Sequence, residues 1–245
     1  MDDRILTQSF DLRARDTDVN GRLKISSAQL MMQEIAEDHS ALLGYSRAAL
    51  AGQDLVWLLS RSRLEFTRLP QFCERLTLST WPLRSARSIY PRCYSFAVNG
   101  QTVGHAVTQW LLVRPTTRAM VDGAAAGIVL PDASGLPQPL KNPARIRPQG
   151  EPNEVFSRRV CFSDLDVNGH VNNARYAEWL LDAVDPRRFA GRAVKALQVN
   201  YLHEMLPGET VALSRYDSEN GWALLGEWEG KLLFEASVEL APEAD

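Results

Sequence analysis

The sequence predicts an α+β protein built from two similar units in tandem. Three observations carry that reading. The phrase DTDVNGRLKI (residues 16–25) returns as DLDVNGHVNN (residues 164–173). Each copy is followed by a stretch of helical period and then by short strands with turn signals between them. A proline-rich segment separates the two series.

In the first half, SFDLRARD (9–16) alternates, with Phe10, Leu12 and Ala14 expected inward as a strand. The D-x-D-V-N-G turn comes next. SSAQLMMQEIAEDHSALLG (26–44) sets Ala28, Met31, Ile35, Leu42 and Leu43 at helical spacing, behind a serine that can cap the helix. Strands are expected near 57–68, 75–81, 88–98 and 102–113, the last two joined at Asn99-Gly100, a strong hairpin signal.

The second half repeats the order. RRVCFSD (158–164) reads as a strand, the turn recurs, and NNARYAEWLLDAV (172–184) is helical with Tyr176, Trp179, Leu180 and Val184 on one face. Strands are expected near 194–204, 209–216, 222–228 and 231–240, with turns at Asn220-Gly221 and Glu229-Gly230. LPQFCERLTL (69–78) rhymes with LPGETVAL (206–213). Between the halves, 114–153 carries Pro131, Pro137, Pro139, Pro143, Pro148 and Pro152 and reads as connection without regular elements. The expected domains are 1–125 and 154–245, with a linker at 126–153. A long helix wrapped by a curved antiparallel sheet buries its apolar face, which is the hotdog arrangement, here in tandem. Such units commonly pair side by side, so one chain can supply both members; a homodimer of chains stays open.

Composition narrows the function. Of 245 residues, 45% are apolar and 23% charged, which suits a folded globular chain. A net charge of −3 gives no reason to expect nucleic acid or an anionic membrane as partner. Cys73, Cys93 and Cys161 have no metal spacing and read as reduced thiols, so a cytoplasmic location is expected. MDDRILTQSF has no signal-peptide pattern, and no apolar run is long enough to span a bilayer.

The second copy of the phrase gathers Asp164, Asp166, Asn168 and His170 in a turn just before a helix N-terminus, where backbone N–H groups favour developing negative charge. Asp166 can act as base or nucleophile, His170 as proton shuttle, and Asn168 can hold a carbonyl or a water. That set suits acyl transfer to water. The competing reading is that Asp and Asn before a helix are caps and Asx-turns. It governs the first copy, where Arg22 replaces the histidine and cannot shuttle a proton. Taken alone, His203-Glu204 reads as a surface pair, His39 and His105 as structural or exposed, and Cys161 as packed. There is no G-x-S-x-G elbow and no zinc-site spacing, so no metal or other cofactor is expected.

These segments resemble the acyl-acyl carrier protein (acyl-ACP) thioesterases of the bacterial kind over nearly the whole chain. SDLDVNGHVNNARYAEWLLD is similar to the family's D-x-N-x-H-V-N-N-x-x-Y-x-x-W signature. NGRLKISSAQLMMQEIAEDHSALLG, WLLSRSRLEFTRLP and AVTQWLLVRPTTRAMV resemble its first-domain segments. The resemblance implies a tandem hotdog fold and hydrolysis of fatty acyl-ACP in fatty acid biosynthesis. It carries the family's catalytic Asp, Asn and His onto Asp166, Asn168 and His170, and its following Glu onto Glu204. Plant members often place Cys after that Glu. Here the residue is Met205, so a cysteine-centred mechanism does not transfer.

The implied partner is an acyl carrier protein, which is acidic. The arginines between Arg61 and Arg92 (Arg63, Arg68, Arg75, Arg84 and Arg87 among them) form a candidate docking stretch, with a solvated strand face as the alternative. Leu30, Met31, Met32 and Trp57 are candidates for an acyl tunnel in the first half, against simple core packing. An acyl-CoA thioesterase, a non-catalytic acyl-binding protein and a hotdog hydratase are the rival functions.

Overall fold

The strand-forming runs of both halves hydrogen-bond into one antiparallel sheet in the computed structural model, which describes residues 3–85 and 88–242. The first half runs β1 (Leu6–Asp11), α1 (Ile25–Leu42), α2 (Arg47–Ala51), β2 (Val56–Phe66), β3 (Arg75–Pro82), β4 (Ile89–Val98), β5 (Gln101–Arg114) and β6 (Ala119–Met120). The second runs β7 (Glu154–Arg159), α3 (Asn173–Asp182), β8 (Arg192–Tyr201), β9 (Thr210–Ser218), β10 (Gly221–Trp228) and β11 (Lys231–Pro242). The order across the sheet is β1-β3-β4-β5-β2-β8-β11-β10-β9-β7, with β6 beside β5. Each half therefore has the same topology, read outward from a seam at β2 and β8.

The seam shows the repeat as geometry. Ser62 lies seven residues before Leu69-Pro70, and Val199 seven before Leu206-Pro207. These two equivalents pair with each other, Arg61 pairs with Asn200, and Arg63 with Gln198. A pseudo-twofold axis thus passes between Ser62 and Val199. Turning about it exchanges the halves, as in a dimer of hotdog units carried on one chain.

α1 and α3 pack on the same face of the sheet and against each other. α1 buries Ala28, Met32, Ile35 and Ala36 over Leu64, Leu76, Leu78 and Phe96. α3 buries Tyr176, Trp179 and Leu180 over Leu213, Trp222 and Phe234. A side chain such as Phe234, fully withdrawn from water, contributes about 2 kcal/mol. Both Asn99 (φ 51°) and Gly100 (φ 77°) adopt left-handed backbone, as the hairpin signal requires.

The boundaries differ from expectation in informative places. β1 ends at Asp11, so Ala14 falls in a 3-10 turn and is exposed rather than inward. β7 likewise ends at Arg159, before Cys161. α1 begins at Ile25 behind Lys24, so Ser26 and Ser27 are buried helix residues and neither is the cap. The turn expected at Asn220-Gly221 sits one residue earlier, because Gly221 already pairs with Ser218 in β10.

Residues 121–153 hold no regular element, but the segment is fastened along its length. Its carbonyls at Pro137, Pro143 and Ala144 accept hydrogen bonds from Trp81, Arg61, Gln198 and Asn200. The amide of Ile146 donates to buried Glu235 at 2.9 Å. The connection is a strap over the outer face of the seam, held by polar side chains that β2, β8 and β11 turn outward.

Candidate active site

The two D-x-D-V-N-G phrases fold identically. In the first, Asp16 accepts from the Arg13 amide, Asp18 from the Asn20 amide, and the Asp18 amide donates to the Arg22 carbonyl. In the second, Asp164 accepts from the Cys161 amide, Asp166 from the Asn168 amide, and the Asp166 amide donates to the His170 carbonyl. Gly21 (φ +73°) and Gly169 (φ +77°) reverse the chain in a conformation that L side chains resist. Short bridges, Thr17 to Leu23 and Leu165 to Val171, close both turns. The repeated letters are therefore turn chemistry first.

Just past the turn the two halves part. Arg22 is 4% exposed, and its Nη1 donates to the carbonyl of Arg192 in the other half at 2.6 Å. His170 instead keeps an accessible ring, 35% exposed, with Nε2 lying 3.7 Å from Oε2 of Glu204, which is half-exposed. The Val171 amide bonds the Met205 carbonyl at 3.0 Å and so draws the segment that follows β8 against the turn. Two positions before Leu206-Pro207 stands Glu204; two before Leu69-Pro70 stands Thr67. Of the two turns, the second brings an imidazole to a carboxylate, whereas the first has Arg22 and Thr67 at those positions.

The sequence-derived residues come together as one group, in unequal situations. Both carboxylate oxygens of Asp166 are engaged within the turn, Oδ1 by the Asn168 amide at 2.8 Å and Oδ2 by Asn168 Nδ2 at 3.1 Å. Asp164 is buried and bonded to Trp179 Nε1 and the Cys161 amide, which makes it a scaffold. Asn172 caps α3 by accepting from the Ala174 amide. Met205 is fully buried, with no part in an accessible site.

Two residues escaped sequence reasoning. Arg47, on the short α2 of the first half, donates Nη2 to Asn168 Oδ1. The Asn168 amide is thereby oriented from both ends, by Arg47 and by Asp166. Tyr201 donates its hydroxyl to the carbonyl of Asn173, the first residue of α3, at 3.1 Å. Gln29 Nε2 and Ser62 Oγ of the first half each lie 3.4 Å from that hydroxyl. Burial holds the Tyr201 phenol well above the usual range, and burial does the same for Tyr176, helped by Tyr201 and by the Glu204 and Asp166 carboxylates. Both stay protonated, and Tyr201 is a hydrogen-bond donor. The only signal for either was position in the fold.

Other expectations need correction. Leu30 is 45% exposed on the outer side of α1 and cannot line an interior tunnel, whereas Met31 and Met32 are buried. Trp57 packs on Tyr90 at 4.8 Å in a side cluster with Leu50 and Leu55. Cys161 is exposed rather than packed. Within the arginine stretch Arg92 is buried, Arg68 pairs with Glu74, Arg75 lies by Asp11 and Arg61 holds the strap, while Arg84 is exposed. Arg87 lies outside the described residues. Among those described, no three His, Cys, Asp or Glu side chains converge as a metal set, and no helix is long and apolar enough to cross a membrane.

Residues 3–124 match the profile of the acyl-ACP thioesterase N-terminal domain, and residues 150–227 that of its C-terminal domain. The chain is 22% identical over 217 residues to the chloroplastic palmitoyl-acyl carrier protein thioesterase of Cuphea hookeriana, covering 83% of this chain and 52% of that protein. It is 23% identical over 215 residues to the chloroplastic oleoyl-acyl carrier protein thioesterase 2 of Arabidopsis thaliana, covering 80% and 59%. The chain thus spans little more than half the length of these curated relatives. Its fold matches the crystal structure of an acyl-ACP thioesterase from Bacteroides thetaiotaomicron with a TM-score of 0.86 at 24% identity, covering 98% of this chain and all of that one. It matches the 12:0-ACP thioesterase of Umbellularia californica with a TM-score of 0.82 at 18% identity, covering 98% of each.

Proposed function

The chain belongs to the acyl-ACP thioesterase family, and we propose that it hydrolyses the thioester of a fatty acyl chain carried on acyl carrier protein, giving free fatty acid and the carrier thiol. The observation that carries this is the pairing of His170 with Glu204 at 3.7 Å, in the half that keeps both residues. Two exposed free thiols, Cys73 and Cys161, fit the reducing cytoplasm as its location.

Glu204 is the better placed base, because Asp166 already spends both oxygens on its turn. In this mechanism a water between Glu204 and His170 loses its proton to that pair as its oxygen attacks the thioester carbonyl. Asn168 Nδ2 has one hydrogen beyond its bond to Asp166, and this donor faces the developing oxyanion. The C–S bond then breaks, and the protonated imidazole of His170 returns the proton to the leaving thiolate. Asp166 orients Asn168, and Arg47 holds the other end of the same amide.

Thiol release measured on acyl-ACPs, with acyl-CoAs of matched chain, tests the reading. The expected result is turnover on acyl-ACP that falls roughly 10²–10⁴-fold in His170→Ala, the usual effect of losing an acid–base group. No thiol release by the wild type, or a His170→Ala protein of undiminished rate, overturns it. Turnover confined to acyl-CoA makes the carrier assignment wrong while leaving the chemistry.

A further inference from the structure

Ser62 on β2 lies directly opposite Thr108 on β5, and Thr108 directly opposite Arg92 on β4. All three are buried and face α1. The row at the same place in the second half is Val199, Ala236 and Leu224, also paired in register and wholly apolar. Duplicated architecture thus carries a polar row in one interior and an apolar row in the other.

We propose that the acyl pocket runs along the row Ser62–Thr108–Arg92 and that Arg92, with the Thr108 hydroxyl before it, closes its far end, so that the substrates are fatty acyl chains short enough to stop there. The inference rests on the hydrolase reading above and adds the class of chain. The second-half interior is filled by Trp179, Trp222 and Phe234, each fully buried. In the first half a hollow of about 10 Å³ remains between α1 and the sheet, bordered by Gln29, Met32, Leu59, Ser62, Thr108 and Trp110. It adjoins the candidate site, since Gln29 and Ser62 also reach the Tyr201 hydroxyl that is bonded to the start of α3. Widened by a chain entering from that side, the hollow leads across the sheet toward Arg92. With strands about 4.8 Å apart, the three steps from β8 to β4 span roughly 14 Å.

This far end stops a methylene chain for reasons of solvation. Arg92 cannot lose its charge, and among the described residues no carboxylate pairs with it. Its Nη1 donates to His39 Nδ1 at 3.0 Å and to Thr80 Oγ1 at 3.2 Å. Thr108 Oγ1 accepts from Trp110 Nε1 at 2.9 Å. Oε1 of buried Gln29 has no partner; with the amide turned over, its nitrogen would be the unpartnered end. A terminal methyl pushed past these groups would strip hydrogen bonds from a buried cation and its hydroxyl neighbours without replacing them. A water is the better occupant of the polar end.

The test copies one interior into the other: Ser62→Val, Thr108→Ala and Arg92→Leu together, with Thr108→Ala and Ser62→Val as single changes. Thiol release is followed over a series of saturated acyl-ACPs from short to long. The wild type should favour the medium lengths. The triple variant should shift toward longer chains, by about fourfold in the long-to-medium ratio of kcat/KM for each methylene newly buried. Thr108→Ala should shift it in the same direction by less. If the triple variant fails to fold, as judged by its melting transition, the single variants decide. A ratio that stays fixed in folded variants overturns the wall, as does a wild type that prefers chains bearing a distal hydroxyl or carboxyl, which would make the row a ligand for oxygen. A wild type inactive on every acyl-ACP fails one step earlier and removes the hydrolase reading itself.

Discussion

Arg22 reaches from the turn of the first half to the backbone carbonyl of Arg192 at the head of β8, 2.6 Å away. The residue that takes the place of the histidine therefore does something of its own. It is a buried cation that ties the first-half turn to the opposite half. Arg22→Ala should lower unfolding stability by roughly 2 kcal/mol or more, as expected for a buried charge-assisted hydrogen bond. Turnover per folded molecule should hold. Urea titration alongside active-site counting separates the two effects, and an inactive but stable Arg22→Ala protein would mean the first turn takes part in chemistry. Arg22→His should not create a second site, because Thr67 stands where the partner carboxylate would be needed.

Arg47 and Asn168 meet across the same seam in the opposite sense. If the amide must be held to present its donor, Arg47→Ala should lower kcat by about 10-fold or more with a smaller change in KM. Arg47→Lys, which keeps the charge but not the planar fork, should restore only part of the loss. A variant that raises KM alone would give Arg47 a role in holding substrate or carrier instead.

Local signals made much of this readable. Turn chemistry in D-x-D-V-N-G is written in aspartates that accept backbone amides no more than four positions away, so both copies were legible as turns before a helix. Helical period located α1 and α3 to within a residue or two, and Asn99-Gly100 fixed its hairpin. The chemistry was legible only in part. Nothing local distinguishes Asp166, which is spent on its turn, from a free base, and Glu204 was raised above a surface pair only by family resemblance. Its approach to His170 depends on the Val171–Met205 bond, a contact between distant segments. Arg47 and Tyr201 were silent for the same reason, since each matters through a partner in the other half. Exposure was misjudged where pattern alone was used, at Leu30 and Cys161, because a helix or strand period does not say which face another element covers.

The thiols divide by burial. Cys93 is fully buried and desolvation pushes it up to about 12, whereas Cys73 and Cys161 are exposed. Alkylation of the native protein at neutral pH should label Cys73 and Cys161 and leave Cys93, as read by mass spectrometry after digestion. Activity should largely survive, since Met205 stands where a cysteine mechanism would need its thiol. Loss of activity traced to Cys161, three residues from Asp164, would show that labelling strains the turn, and a Cys161→Ser variant of full activity would separate strain from chemistry.

His39 should make stability depend on pH in one direction only. Burial lowers its pKa from the usual 6.5, and the Arg92 charge adds to the effect, against an opposing hydrogen bond to the Asp3 carbonyl. The geometry agrees: Nδ1 takes a hydrogen bond from Arg92 at 3.0 Å and so cannot carry a proton, while Nε2 lies 2.9 Å from the Asp3 carbonyl as donor. The folded protein thus holds this ring neutral. Below pH 6.5 the unfolded chain takes up a proton that the native state resists, so stability falls as pH falls from 6.5 toward the lowered native value. Above 6.5 the ring is neutral in both states and contributes no slope. His39→Gln retains a donor and an acceptor but does not titrate, and it should flatten the decline in melting temperature below pH 6.5. If wild type and His39→Gln lose stability in parallel over that range, the ring is not held neutral by Arg92, and the polar packing around the proposed end wall is arranged differently.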